Sequence, residues 1–383
     1  MHKPLFIGHE IFRNSSYGDF HPLRVPRVST VMDMSRAMGW LPPDQFITSP
    51  RARPAALHAW HDPAYVAALQ RIEVSQKALP DDLERFGIGS VSNPVFPEIF
   101  SRPATAAGGA ILAGELLARG GVVYNPAGGT HHGMPSRANG FCYLNDPVLA
   151  MLSLRHHGVR RIAYIDIDAH HCDGVAVGFA GDPDCLMISV HEEGLWPRTG
   201  LIEDDAGGNA INLPVPRGFN DAEMAHVRDA LILHEITEFQ PDAIVFLCGA
   251  DGVEDDPLAH LSLTNNAHWD LLRGLMTLGA PRLLVLGGGG YNPWTVGRLW
   301  TGVWGVLNGH IPEAYVTSET EEVLRALTFH GNRRGRNPPE HWFTTLRDVP
   351  REGAVIRARV RQRVEYLRQR RGVQALRHPS VQV

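Results

Sequence analysis

The chain has 383 residues, enough for one large α/β domain or two smaller ones. Hydrophobic residues make up 44% and charged residues 20%, an ordinary globular composition, and the net charge of −5 offers no basic field for nucleic acid. No run of about 18 apolar residues occurs, so no membrane-spanning helix is expected.

Met1 to Ile7 lacks a long apolar stretch, so a secretory leader is not expected. The four cysteines, Cys142, Cys172, Cys185 and Cys248, contain no Cys-x-x-Cys pair, which excludes a structural zinc ribbon. Cys142, Cys185 and Cys248 lie in or beside apolar runs, where a free thiol behaves as a small hydrophobe. A reducing compartment, and so the cytoplasm, is expected.

In chain order, His21 to Arg27 is a basic loop stiffened by two prolines. Ser29 to Met38 carries apolar residues at helical spacing, with Gly39 placed to end the helix. Ala64 to Ile72 reads as another helix. Leu79 to Pro103 contains proline and glycine without periodicity and is expected to be one long loop, of the kind that usually carries function. Ala104 to Arg119 is a helix of small residues suited to close packing on a sheet. Strands then follow at Val122–Tyr124, Ile162–Ile165, Leu186–Val190, Ala243–Leu247 and Leu283–Leu286. Helices at Pro147–His156, Ala222–Phe239 and Ala267–Leu278 alternate with them. This alternation predicts a parallel sheet covered on both faces, with ligands beyond the carboxyl ends of its strands. After Gly309 the character changes. Arg351 to Arg377 holds nine Arg against two Glu, and Ile356, Val360, Val364 and Leu367 share one helical face. A helix docked on the domain with its arginines in solvent is expected; a docking site for an acidic partner is the alternative.

The polar residues gather where strands end. Asp166, Asp168 and His170 alternate after the strand at Ile162, which would place them on one side. Two carboxylates and an imidazole are costly to bury unless a positive ion compensates them, and Asp oxygen and His nitrogen both ligate zinc. A buried strand entering a polar turn is the plainer reading, but the density of ionisable groups favours a metal. Asp251 follows another strand and would complete a three-ligand site with an open position, the arrangement of catalytic zinc. The tandem His131-His132 lies in a glycine-rich loop, and Asp166 and Asp173 are available to orient the two imidazoles. Tyr291 follows four glycines, which would hold its phenol over a cleft to donate a hydrogen bond to a developing oxyanion. Two rival readings fall short. A dinucleotide fingerprint at Gly287–Asn292 lacks its third glycine. A two-metal site needs a further acid near Asp251, where Val253 stands.

These motifs resemble the zinc-dependent histone deacetylase family, of the bacterial kind that includes acetoin-utilisation-type deacetylase homologues. The resemblance is carried by Gly129–His132, Gly140–Asp146, Asp166–Gly174, Cys248–Asp251 and Gly287–Asn292, in order, between His21 and Gly309. It implies a three-layer α/β/α domain with a central, mainly parallel sheet of eight strands, spanning residues 1–315. Residues 316–383 would be a C-terminal extension with a basic helix. The implied activity is hydrolysis of an acyl-amide, acetyl-lysine by default. Asp168, His170 and Asp251 match the ligands of one zinc ion. His132 matches the general base, paired to Asp173, and His131 its electrostatic partner, paired to Asp166. Tyr291 matches the carbonyl-polarising tyrosine. Gly140, Phe141 and Trp196 match the acyl-lysine channel, and Arg27 an arginine near an acetate-release channel. Asp166, Asp168, His170, Ser189 and Val190 match a potassium site. Many relatives hold the substrate backbone with an Asp where this chain has Ser92. Leu258 stands where polyamine-deacetylating relatives carry a glutamate, and the neighbouring Glu254, Asp255 and Asp256 read as a solvated turn. An acyl-lysine protein, peptide or small molecule is therefore the expected substrate, with no nucleic-acid or membrane partner. Deacetylation of polyamines, and binding of acyl-lysine without catalysis, are the alternatives.

Overall fold

The computed structural model describes residues 3–312, 315–329, 337–351 and 354–377. Eight strands are formed: β1 (Leu5–Gly8), β2 (Phe46–Thr48), β3 (Gly121–Asn125), β4 (Ile162–Asp166), β5 (Cys185–Glu192), β6 (Ala210–Val215), β7 (Ala243–Leu247) and β8 (Arg282–Leu286). They join one sheet in the order β2-β1-β3-β8-β7-β4-β5-β6, and every neighbouring pair is parallel.

Near-continuous apolar runs are what a parallel sheet buried on both faces requires. Along β4, Ala163 and Ile165 pack into one layer, and Ile162 and Tyr164 into the other. The first layer holds the helices Val28–Ala37, Asn265–Thr277 and Pro293–Leu307; the second holds Ser101–Leu116, Asp146–His156 and Asp173–Phe179. The result is the three-layer α/β/α arrangement. Small residues let the second layer close tightly: a Cβ on Gly114 would sit 2.4 Å from Ser153 Oγ of the neighbouring helix. A third apolar cluster, with Tyr65, Phe96, Tyr143 and Tyr291, lies to one side of these layers.

Topology selects one place on the sheet. From β4 the chain crosses to β5 on one side, whereas from β7 it crosses to β8 on the other. The connections therefore diverge between β4 and β7, and a crevice opens beyond their carboxyl ends.

Several elements differ from the sequence expectation. β1, β2 and β6 were not expected. β1 and β2 are short, and β6 carries Pro214, which a strand at the sheet margin tolerates. The long loop expected at Leu79–Pro103 contains a helix, Pro80–Phe86, and gives its last residues to the helix Ser101–Leu116. Pro80 occupies the first turn, and Asp82 reaches back to accept the Leu79 N–H at 2.7 Å. The helix expected at Ala222–Phe239 is interrupted by a wider turn at Arg228–Ile232.

The C-terminal helix, Ala358–Arg377, buries Val360, Val364 and Leu367 against the domain. Its arginines are not simply solvated. Arg359 and Arg363 both reach Glu193, at 2.7 and 2.6 Å, and Arg370 reaches Asp205 at 2.6 Å. No described helix is long and apolar enough to cross a membrane.

Candidate functional site

The loop after β3 is held from beneath. Asp146 accepts the N–H groups of Gly129 and Thr130, each at 2.8 Å, and Asn145 donates to the carbonyls of His131 and Gly133. Asn145 also caps the helix Asp146–His156 through the Val148 N–H. The loop therefore presents two buried imidazoles in fixed positions. His131 Nδ1 donates to Asp166 at 2.7 Å, and His132 Nδ1 to Asp173 at 2.6 Å. Their Nε2 atoms face each other at 3.0 Å.

The two rings titrate in opposite directions. Burial disfavours charge on His131, but Asp166 and Asp168 outweigh it and lift the imidazole to about 9. Burial and the adjacent His131 push His132 down to about 4, against the pull of Asp173. His131 is thus the charged ring of the pair and His132 the neutral one, whose Nε2 carries the lone pair.

The strand β4 stops at Asp166, so strand alternation does not align the residues after it, contrary to expectation. A turn aligns them instead. Asp166 accepts the Asp168 N–H at 3.0 Å, and Asp168 accepts the His170 N–H at 2.9 Å, because short carboxylates bond the backbone two residues on. Asp251, in the turn after β7, accepts the Ala169 N–H at 2.9 Å. These bonds bring Asp168, His170 and Asp251 together as a buried group whose ligand atoms all lie within 4.8 Å of one another. His170 Nδ1 is 3.1 Å from Asp168 and 3.0 Å from Asp251. Burial opposes its charge, but the two carboxylates draw the imidazole well above its ordinary range.

Two buried carboxylates around one nitrogen demand positive charge, and an oxygen, oxygen and nitrogen donor set with one open side fits a divalent cation. The surrounding backbone leaves room only for that group. A Cβ on Gly289 would fall 2.2 Å from Asp251 Oδ2 and 2.8 Å from Asp168 Oδ2. Val253 is buried and apolar, so it adds no further donor beside Asp251.

Above this group lies a cavity of about 460 Å³. His132, His170 and Tyr291 line its floor, and Gly140, Phe141, Trp196 and Leu258 form part of its walls. Trp196 stands edge-on to His132, with ring centroids 4.7 Å apart, and Phe141 is edge-on to Tyr291 at 5.8 Å. Gly140 has φ +51°, and a Cβ there would strike the Trp196 ring at 2.2 Å. The remaining candidates lie outside the cavity. Arg27 sits behind the glycine turn, donating to the Gly288 carbonyl at 2.6 Å. Ser189 lies beside Asp166 in the β4–β5 register, and Val190 follows it into the core.

Three contributors were missed in the sequence reading. Tyr164 donates its hydroxyl to Asp166 at 2.6 Å, and Asn139 donates to Asp173 at 3.1 Å. Asp256 is buried rather than solvated, correcting the expectation for that turn. It accepts the N–H groups of Tyr291 at 2.7 Å and Leu258 at 2.9 Å, tying the tyrosine to the opposite wall. The signal available for Asn139 was its proximity to Gly140–Asp146; Tyr164 and Asp256 gave none beyond their places beside Asp166 and Asp251.

The histone deacetylase domain model matches residues 21–307. Histone deacetylase 9 of Arabidopsis thaliana is 34% identical over 301 residues, covering 76% of this chain and 70% of its own length. The acetoin utilization protein AcuC of Bacillus subtilis (strain 168) is 30% identical over 345 residues, covering 85% and 89%. The crystal structure of an HDAC homologue from Aquifex aeolicus superposes with a TM-score of 0.89 at 31% identity, over 96% of this chain and all of that one. With this fold, and with the Asp-His-Asp group and paired histidines at its switch point, the chain belongs to the histone deacetylase family of hydrolases.

Proposed function

We propose that the protein is a zinc-dependent deacylase that hydrolyses the amide of acyl-lysine, with acetyl the default acyl group. The observation that carries this reading is the Asp168–His170–Asp251 group lying at the foot of a cavity that also ends at His132 and Tyr291. A zinc ion held by those three residues would polarise the acyl oxygen and lower the pKa of a water at its open position. His132, neutral and fixed through Asp173, accepts the proton of the attacking water. His131 keeps its charge beside it and favours the build-up of negative charge on the acyl carbon's oxygens. Tyr291 donates its O–H to the acyl oxygen as that oxygen becomes negative. His132 then returns its proton to the leaving lysine amine. Phe141 and Trp196 line the path of the methylene arm, and Gly140 leaves room for the indole. On the same reading, Asp166, Asp168, His170, Ser189 and Val190 hold a potassium ion beneath the site, and Arg27 lies on an acetate exit. Residues 1–315 form the catalytic unit, and 316–383 an extension fastened to it.

Leu258 favours acyl-lysine over acetylpolyamines. It gives the wall an apolar surface, and Asp256, the nearest buried acid, is already engaged by two backbone N–H groups. An unpaired second ammonium would be costly to desolvate there. The test is a kinetic comparison of an acetyl-lysine peptide with acetylputrescine and acetylspermidine. Higher kcat/KM on the peptide is expected; acetylpolyamines ahead by about tenfold or more would overturn the substrate assignment.

A further inference from the structure

The mouth of the cavity carries a charge that the reaction does not use. Among the described residues lining the cavity there is no Asp or Glu, and above the histidines of the floor the one charged side chain is Arg137. Arg137 ends the tight turn that follows His131-His132. Its carbonyl accepts the Met134 N–H at 3.1 Å, and the next residue, Ala138, donates its N–H to the Phe86 carbonyl at 2.9 Å. The backbone is therefore fixed on both sides of it. The guanidinium lies across the opposite wall, with Nη2 3.6 Å from where a Cβ on Gly87 would be. Ser90 and Ser92, from that wall, line the same cavity and add neutral hydroxyls.

An exposed arginine is ordinarily a solvated one, but its neighbours here are all committed. Arg85 pairs with Asp81 and covers the Phe86 ring, and Arg71 pairs with Asp82. Arg137 has no carboxylate partner among the described residues. A planar fork of donors, free at a cavity mouth with no competing acid in the walls, matches a carboxylate.

We propose that Arg137 is an anion-reading subsite at the cavity mouth, binding a carboxylate that the substrate carries next to its acyl-lysine arm. The inference rests on the acyl-lysine reading above and narrows it: the preferred substrate is anionic beside the scissile side chain. The carboxylate has two chemical sources. It is either the α-carboxylate of a free or C-terminal acyl-lysine, or the side chain of an adjacent Asp or Glu.

Two matched substrate sets separate these sources. The first compares N-capped acetyl-lysine with a free carboxylate against its carboxamide. The second compares end-capped acetyl-lysine tripeptides carrying Asp, Asn or Lys beside the acetyl-lysine. The wild-type protein should favour the anion by about two- to fivefold in kcat/KM in at least one set, the scale of a rim ion pair. The preference should shrink as salt is raised from about 0.05 M to about 0.5 M. Arg137→Gln should bring the anion-to-neutral ratio to about one, Arg137→Lys should keep part of it, and Arg137→Glu should invert it. The ratio is the readout, so a general change in activity does not obscure it. A wild-type protein that cleaves all these substrates with equal kcat/KM overturns the inference and leaves the deacylase reading standing. A preference that survives Arg137→Gln also overturns it. A protein inactive on every member of both sets overturns both.

Discussion

Tyr291 bears most of the proposed chemistry that no other side chain can supply. The residue lines the cavity, and its backbone is fixed by Asp256. Replacing it by Phe keeps the ring and its edge-on contact with Phe141, and removes only the donor. Turnover should fall by about a hundredfold or more while KM and zinc content stay near wild type. Retention of more than about half the turnover would show that the hydroxyl does not act in the reaction. Asp173→Asn tests the neighbouring pair. The amide can still occupy the place beside His132 Nδ1, but it no longer fixes the tautomer or supports the basicity of the ring. Activity should drop with zinc still near one per chain; loss of the metal would make Asp173 a ligand. Much of this site was legible at the level of single residues, because Asp166, Asp168, His170, Asp173 and Asp251 crowd just past strands where soluble cores carry no charge. Asp256 was not legible. Three consecutive acids look like a surface turn, and only the direction of the Tyr291 and Leu258 N–H groups turns one of them inward.

The C-terminal helix matters through the loop it braces. Glu193 directly follows β5, and Asp205 precedes β6; the segment between them carries Trp196 to the cavity wall. Arg359 and Arg363 hold its first end through Glu193. Arg370 holds its other end through Asp205 and the Ile202 carbonyl. Inside, His191 Nε2 meets the Gly200 carbonyl at 3.0 Å, and His171 meets the Thr199 hydroxyl at 2.9 Å. Weakening both outer clamps with Arg363→Gln and Arg370→Gln, which leaves only Arg359 on Glu193, should loosen Trp196 without touching the reacting groups. KM for an acetyl-lysine peptide should rise by about two- to fivefold per clamp with kcat nearly constant, since partly exposed ion pairs are worth little each. Equal KM in the double variant and wild type would mean the loop holds itself. The helical stripe of Val360, Val364 and Leu367 could be read from spacing alone, but Ile356, expected on the same face, precedes the helix. The partners of the arginines could not, because Glu193, Asp205 and Glu235 lie more than a hundred residues away in sequence.

At the scale of the whole molecule, the sheet and the site depend on one another through buried polar groups that must stay neutral. His61 is one. Its Nδ1 donates to the Met134 carbonyl at 3.1 Å, and its Nε2 accepts the Asn145 N–H at 2.9 Å. Asn145 in turn holds the His131 loop. Burial pushes His61 down to about 4, below its value in the unfolded chain. The folded state therefore binds this proton less readily than the unfolded state. The stabilisation is fully present above about pH 6.5 and is lost as pH falls towards 4, amounting to about 3 kcal/mol. The urea midpoint should decline over that window, and His61→Gln, which offers a donor and an acceptor without titrating, should show a shallower decline. Identical slopes would remove His61 from the account. The parallel architecture itself was readable from the alternation of strands and helices. The margins were not, because β1, β2 and β6 owe their extension to pairing with neighbours rather than to their own sequence. The proposed hydrolysis of acyl-lysine needs a divalent metal at Asp168, His170 and Asp251. It is tested most directly by assaying the purified protein on an acetyl-lysine peptide before chelation, after chelation, and after zinc is restored. Turnover should disappear with the chelator and return with zinc; turnover indifferent to the chelator, in protein shown by metal analysis to be stripped, would rule the metal out of the reaction.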